Sequence, residues 1–121
     1  MLSVIAYGLA VVLDLFIVFI GARFLLQPEA AATGYGVPSP RGAYLSVKGS
    51  RDLSLGVLGL CLLAFVGPAA AAWFMLVSAI IPLSDTLIVL RNGGTRATAF
   101  GIHFATALVV LISAALLFAA A

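Results

Sequence analysis

Long apolar stretches fill most of the chain, and the polar residues fall into short breaks between them. Four stretches run about 2–26, 43–66, 68–90 and 96–120. Each reaches the roughly 20 residues that a helix needs to cross a hydrocarbon core of about 30 Å. None alternates apolar and polar positions as a barrel strand would. In lipid a helix satisfies its own backbone groups. The pattern therefore predicts an all-α fold, a four-transmembrane-helix antiparallel up-and-down bundle forming one domain over residues 1–121.

The breaks differ in kind. Gly67-Pro68 reads as a helix stop followed at once by a helix start. RNGGT, Arg91 to Thr95, permits a sharp reversal at its glycines. The first break, LQPEAAATGYGVPSPRG, is longer. There Pro28 is expected to open a short interfacial helix closed by Gly34, with irregular chain around Gly36, Pro38 and Pro40. Tyr35 and Tyr44 suit one membrane interface and Trp73 the other. The first stretch lacks a basic leader, is too long for a signal peptide and contains Asp14, so it reads as a retained span.

Composition agrees with this reading. Of 121 residues, 64% are hydrophobic and 8% charged, and the mean hydropathy is +1.29. Soluble domains average about 45–50% apolar and about 25% charged. The net charge of +2 would suggest a nucleic-acid partner in a soluble chain. Here the six basic residues, Arg23, Arg41, Lys48, Arg51, Arg91 and Arg96, all lie in or beside the first and third breaks. By the positive-inside rule, loops 27–42 and 91–95 face the cytoplasm and both termini face outward. The expected surroundings are a lipid bilayer in the cell membrane, with no nucleic acid. The single Cys61 excludes an internal disulfide and reads as a small buried hydrophobe.

Against that background the stretch KGSRDLSLG, Lys48 to Gly56, stands out: three charges crowd the head of an apolar helix. At about 1.5 Å per residue, Lys48 lies about 8 Å into its span, Arg51 about 12 Å and Asp52 about 14 Å. Asp85 is about 8 Å deep, His103 about 11 Å and Asp14 about 18 Å, near the midplane. An ionised group facing lipid near the centre costs about 2.5–3.5 kcal/mol even on the mildest scale. Turning these groups toward one another avoids that cost. Lys48, Asp52 and Gly56 share a helix face. So do Ser78, Pro82 and Asp85, then Ala99, His103 and Thr106, and finally Ala10, Asp14 and Gly21. The expectation is one interior cluster of Asp14, Lys48, Arg51, Asp52, Asp85 and His103, nearly balanced in charge and opening toward the cytoplasm. Pro82 weakens the helix beside Asp85 and frees a carbonyl there.

Each feature also has a plainer reading. Lys48 and Arg51 can snorkel to head groups. Asp52 can serve only to neutralise a neighbouring base, and a lone histidine is often a satisfied hydrogen-bond partner. One cysteine and one histidine do not make a zinc site, and no phosphate loop or haem-ligand pair is present, so no cofactor is expected.

Four segments carry a family likeness: GARFLLQPEAAATGYGVP, AYLSVKGSRDLSLG, IPLSDTLIVLRNGGTRATA and GIHFATA. With the combination KGxRD, PxxD and GxH, the chain resembles a small four-helix membrane family of unknown function, remotely similar to DoxX-like proteins. The resemblance implies fold and location and brings no activity. Small multidrug exporters share the design of four short spans with an acid midway along the first. Their acid is a glutamate, however, and the basic residues of the second helix fit them poorly.

Three functions follow as expectations. The first is a pocket that binds, and isomerises or cyclises, a lipophilic small molecule. In it Asp52 and Asp85 act as acid or base, His103 as shuttle and Arg51 as stabiliser of negative charge, while Asp14 and Lys48 line the binding site. The second is a proton-coupled exporter using Asp14. The third is a non-catalytic accessory subunit whose polar groups set helix register. A homo-oligomer is compatible with each.

Overall fold

Apolar runs bounded by proline, glycine and a threonine cap become helices in the computed structural model, which describes residues 1–36 and 43–121. Helix α1 spans Leu2–Leu26 and the short α2 spans Pro28–Tyr35. Three further long helices follow: α3, Tyr44–Val66; α4, Pro68–Arg91; and α5, Arg96–Ala120. With α1 they make four helices long and apolar enough to cross a membrane, in an all-α architecture with no strand among the described residues. The expected irregular chain at Pro38 and Pro40, and Arg41 beside it, lies outside the described residues.

The boundaries have local causes. Pro28 starts α2, where its missing N–H is no loss. Gly36 ends α2 in the left-handed region at φ 96°, so the closing glycine is Gly36 rather than Gly34. Gly67 adopts φ 130° ahead of Pro68, giving the tight joint between α3 and α4. The Thr95 side chain accepts a 3.1 Å hydrogen bond from the Thr98 N–H and caps α5. Helix α4 is interrupted by a turn at Ala79, next to the carbonyl of Ser78 that Pro82, having no N–H, cannot engage.

Helices α1 and α3 make the most extensive pairing, and small residues explain it. Gly21 on α1 faces Gly49 and Leu53 on α3 so closely that a Cβ there would come within 2.7 Å of the Gly49 carbonyl oxygen. Without side chains in the way the backbones approach directly, the usual route to helix association in lipid. Helix α5 packs on both α1 and α4, whereas α3 meets α4 mainly near their shared turn. The bundle therefore splays at the end where α2 sits. Alanines fill the opposite end, with Ala6, Ala10, Ala71, Ala72 and Ala114 buried around Met75 and Leu117. Cys61, expected inside, faces outward, as do many large apolar side chains along all four long helices. Outward apolar residues of that kind are what a lipid-facing surface requires.

Candidate functional site

Where the bundle splays, all five helices line a cavity of about 260 Å³. Its apolar walls come from Phe16, Ile17, Ile20 and Phe24 of α1, Ile81 and Pro82 of α4, and Ile102 of α5. Its polar groups are Arg23, Tyr35, Lys48, Asp52, Asp85, His103 and Thr106.

These polar groups are linked. The Lys48 ammonium pairs with the Asp52 carboxylate one turn further along α3, the i, i+4 geometry expected of that face. Asp52 is buried, with 5% of its surface exposed. Lys48 Nζ also lies 4.3 Å from the Tyr35 ring centroid and 4.6 Å from that of Phe24, both distances suited to cation–π attraction. The Tyr35 hydroxyl donates to the Asp85 carboxylate on α4. Behind it, His103 Nε2 lies 2.8 Å from the Tyr35 backbone oxygen. A carbonyl oxygen only accepts, so Nε2 carries the proton and donates. The Tyr35 and His103 rings meet with centroids 4.3 Å apart. Burial pushes the Tyr35 phenol above the ordinary tyrosine range, and the Asp85 carboxylate beside it pushes further the same way. Tyr35 is thus held as a neutral donor.

Two local distortions place these groups. Residues Ala99–Phe104 of α5 form a π-helical turn that carries His103; such single wide turns recur at functional sites. The tight end of α2 does the rest. Gly36 sits against the side chain of Thr98, and a Cβ on Gly94 would lie 2.5 Å from the Gly36 carbonyl oxygen. This packing presses α2 onto the loop between α4 and α5 and brings Tyr35 over His103.

The structure sorts the residues expected from sequence. Lys48, Asp52, Asp85 and His103 surround one cavity. Asp14 does not join them. It is buried on α1, 2% exposed, and lines a separate, smaller void of about 90 Å³ with Ser78, Pro82 and Thr106. Its carboxylate lies against Gly59, where any side chain would collide with it, and one of its oxygens has no hydrogen-bond partner among the described residues. Arg51 is a correction to the expected interior cluster: it is exposed and absent from the cavity wall. A helix turns about 100° per residue, so Arg51 lies well round the helix from its neighbour Asp52.

Two cavity residues carried no site signal in the sequence. Tyr35 read as an interfacial aromatic and Arg23 as a topology charge. Closing the first-break helix at Gly34 left Tyr35 outside it; the signal that could have found it is Gly36, which ends the helix just past Tyr35.

Among known proteins, the profile of a domain of unknown function, DUF4267, matches residues 15–117. No curated protein and no solved structure matches the chain, so the remote DoxX-like likeness gains no support from these comparisons.

Proposed function

This chain belongs to the DUF4267 family, a domain of unknown function, and from its own geometry we propose that it is a multi-pass membrane protein whose cavity binds a lipophilic small molecule and moves protons on it. The observation that carries this reading is the Tyr35–Asp85 hydrogen bond in the wall of a cavity that sets a few polar groups among apolar side chains. Ligand sites are typically concave and mostly apolar, with a few convergent polar groups, and span about 300–1,000 Å³. A volume of about 260 Å³ lies just under that range.

Asp85 is the base. It takes a proton from one atom of the ligand and returns it to another, so that isomerisation or ring closure needs no co-reactant. Tyr35, kept neutral, donates to the Asp85 carboxylate and steadies its charge. His103 fixes Tyr35 through its carbonyl and has a second ring nitrogen for relaying the proton. Asp52, tied to Lys48, shapes the field from the far wall. Positive charge beside the α2 end supports a cytoplasmic mouth, with both termini outside.

Native mass spectrometry of the protein extracted in mild detergent tests the reading. A bound small molecule is expected with the wild type, and its mass or occupancy is expected to change in Asp85→Asn and Tyr35→Phe. An identical bound complement in all three proteins removes the proposal.

A second reading rests on Asp14. A buried carboxylate with an unpartnered oxygen beside a void suits a group that loads and unloads a proton within the membrane. On that reading the protein couples proton movement to export. Asp14→Asn is then expected to abolish substrate-dependent proton flux in vesicles, and wild-type vesicles without such flux exclude it.

A further inference from the structure

The charges of the cavity do not all pair. The chain has four acidic side chains, Asp14, Glu29, Asp52 and Asp85, and all four lie among the described residues. Lys48 is committed: it holds Asp52 and covers two aromatic rings. Arg23 is different. It sits in the last turn of α1, lines the cavity and is half-buried, yet no carboxylate of the chain lies within ion-pairing distance of it. A guanidinium presents a fork of donors that matches a carboxylate or phosphate, and it gains most where water is scarce.

The apolar side of the cavity completes the picture. Phe16, Ile17, Ile81 and Pro82 line both the cavity and the smaller void beside it. Apolar wall therefore continues away from Arg23, toward the middle of the bundle, along a length of α1.

We infer that the molecule bound here is an anionic amphiphile, its carboxylate or phosphate head paired with Arg23 and its hydrocarbon chain laid along Phe16, Ile17 and Ile81. This rests on the cavity being a lipophilic binding site. It adds the class of ligand and the residue that selects it. A neutral lipophile would leave the Arg23 charge unanswered at the mouth. A free inorganic anion would leave the apolar walls uncovered.

Binding to the full chain in a nonionic detergent, at fixed pH and salt, separates these cases. The probes are oleate, oleoyl lysophosphatidate, oleyl alcohol and inorganic phosphate, followed by isothermal calorimetry. At least one of the two anionic amphiphiles is expected to bind tenfold or more tightly than oleyl alcohol. The tighter of the two identifies the head group as carboxylate or phosphate. Inorganic phosphate is expected not to displace either. Arg23→Gln is expected to lower the affinity of the anionic probe by tenfold or more while leaving oleyl alcohol unchanged. Arg23→Lys should recover part of the loss, and Arg91→Gln, at an exposed charge that ends α4 away from the cavity wall, should change nothing.

Equal binding of oleate, oleoyl lysophosphatidate and oleyl alcohol overturns the inference and leaves the lipophilic cavity standing. No binding of any chain-bearing probe overturns both. Displacement by inorganic phosphate overturns the amphiphile. The comparison of head groups uses the wild type alone, so it decides the matter even if Arg23→Gln does not fold.

Discussion

The Tyr35 hydroxyl donates to the Asp85 carboxylate across fifty residues of chain, from the short helix α2 to the long helix α4. That bond joins α2 to the bundle and sets a phenol against a carboxylate in the cavity wall. A hydrogen bond to a charged acceptor contributes about 1.5–3 kcal/mol. Tyr35→Phe keeps the ring, with its contacts to Lys48, Phe24 and His103, and removes only the donor. It is expected to lower the free energy of unfolding in mixed micelles by about 1–3 kcal/mol and to disturb bound-ligand occupancy. A variant as stable as the wild type, with unchanged ligand, would show that the bond is incidental.

The same phenol makes stability sensitive to alkali, and the sign follows from proton counting. Burial and the neighbouring Asp85 raise the folded-state titration of Tyr35 above its ordinary value. An unfolded tyrosine gives up its proton near pH 10. Above that pH the folded chain holds a proton that the unfolded chain has lost, so stability falls as pH rises. Below it both states are neutral and the effect is absent. The wild-type stability curve is therefore expected to turn down from about pH 10 more steeply than that of Tyr35→Phe. Parallel curves for the two proteins would contradict the assignment.

How far the sequence reaches is clear from particular residues. The four spans and the faces holding Asp52, Asp85 and His103 follow from hydropathy and from the helical repeat, because both are properties of one helix at a time. The Lys48–Asp52 pair was legible for the same reason. Tyr35 was not, because its role depends on where a loop helix docks, and that is set by the fit of Gly36 against Thr98 and Gly94. The π-helical turn at Ala99–Phe104 was equally invisible, since AFGIHF reads as continuous helix and neither Gly101 nor His103 by itself marks a wider turn. Arg51 misled because three charges in five positions look like one cluster, although the helix sends them to different sides.

Lys48 and Asp52 allow a test of pairing. Removing Lys48 alone leaves Asp52 buried without its cation, and removing one partner of a buried pair costs more than removing both. Lys48→Met is expected to destabilise by about 1–3 kcal/mol. Lys48→Met with Asp52→Leu is expected to recover most of that loss. Chemical-denaturation midpoints of the two singles and the double give the coupling directly. Additive effects would mean that the pair contributes no coupling.

The α1–α3 seam rests on glycines whose neighbours are backbone atoms. An added Cβ at Gly49 would lie 2.8 Å from the Gly21 carbonyl oxygen and 2.9 Å from the Leu25 nitrogen. Neither atom can turn aside as a flexible side chain could, so the helices must separate. Separation would also loosen the neighbouring contact between Lys48 and Phe24. Overpacking of this kind costs about 1–3 kcal/mol, and Gly49→Ala is expected to fall in that range and to weaken ligand binding with it. Gly8→Ala is the matched control: nothing lies within 4 Å of a Cβ there, and alanine favours helix over glycine by about 0.8–1.0 kcal/mol. It is expected to be neutral or slightly stabilising. Equal melting temperatures for the two variants would mean that close approach of α1 and α3 is not what holds the splayed end of the bundle in shape.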